Sequence, residues 1–163
     1  MYAAFMDLCE SLVFDAEAAN EVLSKIDLSN EFTISPRING KTYSPMAFTP
    51  LSMAVFYTNL AMVELLLSRG ADPNVIYDGC EHVLWDLQYN DGKTEEENET
   101  RLIIARKLLE NGADPCIVVE NEDLYHYVMY CSQDDMGDLA EYRMRFLFLL
   151  EEFIDDSVDD DIE

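Results

Sequence analysis

Few residues of this chain have the type and spacing that chemistry needs. The tightest group is Cys80-Glu81-His82, a thiol, a carboxylate and an imidazole in a row. Such a trio invites comparison with a nucleophile and its base, or with metal ligands. One cysteine and one histidine two apart supply at most two ligands, and they match no zinc spacing. The second histidine, His126, has no serine, cysteine or carboxylate beside it in a catalytic pattern. The closing carboxylates, "DDSVDDDIE", suit calcium by ligand type, but they lack the glycine that lets an EF-hand loop turn. The six glycines form neither GxGxxG nor a P-loop. The residues therefore predict no catalytic site, no metal and no cofactor, and a protein that is not an enzyme.

Charge is the outlying property. The 163 residues hold 34 Asp and Glu against 10 Lys and Arg, a net charge of −24. A field of that sign repels nucleic-acid phosphates and anionic membranes and attracts basic surfaces. Two readings stand: the charge only keeps the protein soluble, or it serves a basic partner. No apolar run reaches the roughly 18 residues of a membrane span. The start, "MYAAFMDLCESLVFDAE", lacks a basic segment and is not read as a signal peptide. Cys9, Cys80, Cys116 and Cys131 are scattered without CxxC spacing, which suggests reduced, mostly buried thiols in a cytoplasmic protein.

Scaffold comes next. In "FTPLSMAVFYTNLAMVELLLSRGADPNV", residues 48–75, Thr49 can cap a helix and Pro50 fits its first position. Leu51, Met53, Ala54 and Val55 give that helix an apolar side. Asn59 can open a second helix, in which Leu60, Val63, Leu66 and Leu67 recur at helical spacing. Gly70 stands where a positive φ is wanted, and Asp72 and Pro73 block continuation. Two short helices sharing one apolar side need a neighbour of the same kind. Residues 101–117, "RLIIARKLLENGADPCI", repeat the pattern, with Gly-Ala-Asp-Pro at 70–73 and again at 112–115. Leu65, Leu66, Leu67, Leu108, Leu109, Phe146, Leu149 and Leu150 read as core, as does Trp85.

These residues resemble an ankyrin repeat. Residues 49–74 follow the family pattern from Thr-Pro-Leu to Gly-Ala-Asp-x-Asn. Ser52 stands where the family usually has histidine and Thr58 where it usually has glycine. The resemblance implies a mainly α solenoid of about four helix-turn-helix units in a single domain. Residues 1–26 are the first pair and 49–75 the second. Residues 82–117 are a third, with His82 in the capping position and the polar stretch 91–100 as an inserted acidic loop. Residues 122–154 are a capping unit and 155–163 an acidic tail, expected to be mobile. Between the first two units, residues 27–48 carry an Asn-Gly turn signal and predict a projecting β-hairpin.

The family binds proteins through its groove and hairpin tips. Carried over position by position, the groove residues are Phe56 and Tyr57, then Tyr89 and Asn90, then Met129 and Tyr130. Aromatics there either form a ladder open to a partner or pack on each other and under a loop. Glu95, Glu96, Glu97 and Glu99 of the acidic stretch are candidates for further contacts with a basic protein. The expected partner is a protein, with no direct nucleic acid and no membrane, bound by a monomer. The most concrete expectation is an inhibitor that covers a basic enzyme, as an immunity protein covers a toxin nuclease. The alternative is a general scaffold or adaptor.

Overall fold

A computed structural model of the chain describes residues 2–11, 13–38, 40–77, 81–88, 94–134 and 138–154. Over these residues the protein is mainly helical with short β elements. The helices come in consecutive pairs: α1 (Tyr2–Glu10) with α2 (Ala16–Leu23), α3 (Pro50–Phe56) with α4 (Leu60–Ser68), α5 (Val83–Gln88) with α6 (Glu95–Glu110), and α7 (Leu124–Asp134) with α8 (Asp138–Glu151). Helices α1, α3, α5 and α7 pack in succession as one row, and α4, α6 and α8 as a second. Most of these helices are too short to be more than marginal alone in water, so the packed faces hold the fold.

Those faces are the apolar stripes of the sequence. Met53, Ala54, Met62, Leu66, Leu84, Ile104, Leu108, Leu124 and Phe146 are fully buried. Each large side chain removed from water contributes roughly 1.5–3 kcal/mol. Leu67, Leu109, Leu149, Leu150 and Trp85 are buried as expected. Leu65 is only half-buried. At 3.6 residues per turn it lies on the flank of the stripe made by Met62, Val63, Leu66 and Leu67.

The two Gly-Ala-Asp-Pro turns are built alike. Gly70 has φ +84° and Gly112 +89°, values that carry the chain away from each helix end without a Cβ clash. The Ala71 N–H donates to the Leu66 carbonyl at 3.1 Å and the Ala113 N–H to Leu108 at 3.0 Å. Asn74 then laces one turn to the next. Its Nδ2 donates to the Gly112 carbonyl at 2.7 Å and its Oδ1 accepts from the Asp114 N–H at 2.8 Å.

Both departures from the ankyrin pattern have a structural outcome. Thr49 and Ser52 form a capping box: the Ser52 N–H donates to Thr49 Oγ1 (3.1 Å) and the Thr49 N–H to Ser52 Oγ (2.9 Å). Serine therefore does the turn-tying that histidine does elsewhere. Thr58 is less comfortable. Its φ is +56°, a left-handed value that is an outlier for a β-branched residue. Its hydroxyl is buried and finds no hydrogen-bond partner among the described residues. Thr58→Gly is expected to stabilise by about 1 kcal/mol, strain relief and the lost orphan hydroxyl outweighing glycine's entropy. Urea unfolding checks this; a destabilised variant would mean that the hydroxyl or methyl makes a contact worth more.

Residues 27–48 do form the expected antiparallel strands. β1 (Phe32–Ile34) pairs with β4 (Met46–Phe48), Phe32 facing Phe48, and β2 (Arg37–Ile38) pairs with β3 (Lys41–Thr42). The ribbon is tied back onto α1. Phe32 stacks on Tyr2 with centroids 3.9 Å apart, and Arg37 forms ion pairs with Asp7 and with Glu10 (2.9 Å). A second hairpin, β5 (Val118–Val119) with β6 (Glu122–Asp123), is absent from the sequence reading. Its two-residue turn places Glu120 and Asn121 at φ +52° and +71°. Those values match the turn twist that two-residue hairpins favour.

The polar stretch 91–100 is not a loop throughout. Residues 91–93 lie outside the described residues, but from Glu95 onward the stretch is the first turns of α6. Thr94 caps it: the Glu97 N–H donates to Thr94 Oγ1 at 3.2 Å, and the Thr94 N–H donates back to Glu97 Oε2 at 2.9 Å. Glu95, Glu96 and Glu97 in the first turn also suit the positive end of the helix dipole. The segment lengthens the outer helix of its pair instead of leaving the surface.

The partner helix α5 is only six residues long, so its last carbonyls need outside donors. They come from the second row. Arg101 Nη2 donates to the Asp86 carbonyl (2.7 Å), the Tyr142 hydroxyl to Leu87, and Arg143 Nε to Gln88 (3.4 Å). At the other end His82 is fully buried, and its Nδ1 accepts from the Leu84 N–H at 3.2 Å, the capping role expected of it. Burial pushes the imidazole down to about 4, against smaller upward pulls from Pro73, Asp114 and Asp72.

Candidate interaction surface

The predicted groove aromatics end in different environments. Phe56 and Tyr57 close helix α3. Both are half-buried, and their rings meet edge to face with centroids 5.2 Å apart. Phe56 also meets the buried Phe48 edge to face at 5.3 Å. The Tyr57 hydroxyl accepts the Arg37 N–H at 2.9 Å, which puts it under the β-ribbon. Its phenol is raised first by burial. Met129 is half-buried on α7, whereas Tyr130 is 68 % exposed. Tyr89 and Asn90 lie outside the described residues. Among the described residues the rings at α3 run Phe48–Phe56–Tyr57, and the buried Trp85 of α5 meets Tyr127 of α7 at 4.9 Å.

The acidic candidates also divide. Glu95 and Glu96 are exposed. Glu97 belongs to the α6 cap, and Glu99 makes a two-pronged ion pair with Arg145, its Oε2 accepting from Nη2 at 2.8 Å. The Glu99 carboxyl is lowered by that guanidinium.

Exposed apolar side chains that sequence reasoning passed over crowd the turns. Ile38, Tyr43 and Met46 stand out on the β-ribbon, Ile76 follows the first Gly-Ala-Asp-Pro turn and Val118 the second. Ile76 and Val118 are as far apart in sequence as Gly70 and Gly112, so they hold equivalent places in turns that Asn74 laces together. That shared offset was the available signal. A turn bonded at both ends presents its side chain with little ordering cost on binding.

Residues 48–78 match the family model for the ankyrin repeat. The match covers α3, α4 and the turn that carries Ile76, the stretch in which cap, glycine turn and lacing asparagine all occur. No curated protein matches the chain.

Chemical sites are scarce. No group of three or more His, Cys, Asp or Glu side chains is placed to hold a metal among the described residues. Cys9 is buried and its thiol is pushed up by desolvation, the reverse of an activated nucleophile. Cys116 and Cys131 are half-buried free thiols, and Cys80 lies outside the described residues. Among the described residues no helix is long and apolar enough to cross a membrane. What the surface offers is a helix-rich frame with exposed apolar turns in a strongly negative field, which suits contact with another protein.

Proposed function

We propose that this chain is a four-unit ankyrin solenoid, divided as 1–26, 49–75, 82–117 and 122–154, which binds and blocks a basic protein. A nuclease toxin neutralised by an immunity protein is the pattern it fits. The observation that carries this reading is the net charge of −24 on a frame with exposed apolar turns. Nucleases are basic where they hold phosphates, and an acidic surface can steer toward that patch and cover it. Tyr130, Ile76 and Val118 supply apolar anchors, and Glu95 and Glu96 supply charge. Phe56, Tyr57, Tyr89, Asn90 and Met129 line the groove in this reading, Tyr57 becoming free only where the β-ribbon lifts. The protein acts as a monomer in the cytoplasm, with Cys9, Cys80, Cys116 and Cys131 reduced.

A second reading, a general scaffold or adaptor, draws on the same apolar turns. Capture from a lysate of the source organism at low and at physiological salt separates the two. The inhibitor reading expects a basic protein, held at low salt and depleted at about 0.15 M, whose activity falls when this chain is added. A neutral client whose capture ignores salt favours the scaffold.

A further inference from the structure

Between α6 and α8 lies an open cleft of about 400 Å³. Two ion pairs cross it, Glu99 with Arg145 and Arg106 with Glu152 (2.8 Å). The partners advance together, 99 to 106 on one side and 145 to 152 on the other, so the helices run parallel. The pairs stand two helical turns apart, about 10 Å. Between them the cleft is apolar. Leu102 and Leu149 form a buried floor, while Ile103 and Phe148 are 46 % and 55 % exposed.

The charged residues lining the cleft balance in pairs. Arg106 is paired with Glu152, Lys107 with Glu110 (3.3 Å), and Arg145 with Glu99. Glu95, Glu96 and Glu141 are further exposed acids, and Glu95 and Glu141 gather with Arg145 at the start of α6. The cleft is thus an apolar slot with acids in excess at one end. A second copy of the chain would bring another −24 charges to it, which opposes self-association. A groove between two parallel helices is shaped to take the ridge of a third.

We infer that this cleft docks an amphipathic helix of a basic partner, its apolar stripe on Ile103 and Phe148 and its Lys or Arg flanks on Glu95, Glu96 and Glu141. The mode is helix-in-groove recognition. It rests on the basic-partner reading and adds a contact surface on the outer helix row. The helical start of α6 gains a role, since it carries Glu95 and Glu96 to the end of the slot.

The test uses the full chain and a labelled synthetic helix of about five turns made of Leu and Lys in amphipathic order. A scrambled peptide of the same composition and a Leu/Glu version serve as comparisons. Fluorescence anisotropy should show saturable binding of the Leu/Lys helix. Ile103→Ser with Phe148→Ser should weaken it about ten-fold or more. Both side chains are exposed, so the melting curve should persist. Glu96→Lys with Glu141→Lys, which touches no core residue, should weaken it as well. Equal binding by both double variants, equal binding of the scrambled peptide, or no binding overturns the cleft assignment and leaves the basic-partner reading standing. Binding of the Leu/Glu helix as tight as that of the Leu/Lys helix overturns both.

Discussion

Asp86→Asn is expected to stabilise the protein more at about pH 8 than at about pH 5, by a differential on the order of 3 kcal/mol. The Asp86 side chain is half-buried on α5. The Tyr77 hydroxyl donates to it, Glu81 faces it, and the nearby cation is Arg101, whose guanidinium donates to the Asp86 backbone carbonyl. Burial, aided by the negative Glu81, pushes Asp86 up from 3.8 to about 7, while Tyr77 and Arg101 pull the other way. The folded value lies above the unfolded one, so the native state holds the proton. Its contribution is fully present below about pH 4 and is lost as pH rises through about 7. Asparagine copies the protonated acid: its oxygen accepts from Tyr77 and its amide can donate toward Glu81. Denaturant unfolding of both proteins at the two pH values is the check. The wild type also relaxes its overall repulsion on acidification, so the difference between the proteins is the quantity to read. Parallel pH profiles would show that Asp86 ionises as an ordinary carboxylate.

The second large effect belongs to Arg101. It is 5 % exposed and donates to the Asp86 carbonyl at 2.7 Å. It also interacts with Tyr142, whose own hydroxyl donates to the Leu87 carbonyl. At about pH 8, where Asp86 is ionised, Arg101→Met should cost about 3 kcal/mol, because a helix-end carbonyl loses its donor and Asp86 loses a counter-charge. The losses should be coupled. In the Asp86→Asn background the same substitution should cost measurably less, which a double-mutant cycle reads directly. Additive effects would mean that Arg101 acts through packing alone.

The sequence carried the local features well. Thr49-Pro50, Asn59 and the two Gly-Ala-Asp-Pro turns each set their own backbone, so α3, α4 and the turns after α4 and α6 could be read residue by residue. The strands of 32–48 followed from an Asn-Gly signal of the same local kind. The start of α6 was misread because residues 95–100 carry no apolar period, although Thr94 with Glu97 is a capping pair and was the usable sign. The β5–β6 turn was missed because Glu120-Asn121 is a weak form of a two-residue turn. Pairings across long separations left no trace in either segment. Arg37 reaches Asp7, Glu10 and Tyr57, and it is this contact that draws Tyr57 under the ribbon. The donors that finish α5 come from two later helices. The α6–α8 cleft exists only once those helices lie parallel.

The basic-partner reading is tested most directly by the rate at which the captured partner, once purified, associates with this chain across a salt series. Steering by a net charge of −24 toward a basic surface predicts an association rate that falls at least ten-fold between about 0.01 and 0.15 M salt, with dissociation changing far less. An association rate flat across the series would contradict it and leave the acidic surface without a part in recognition.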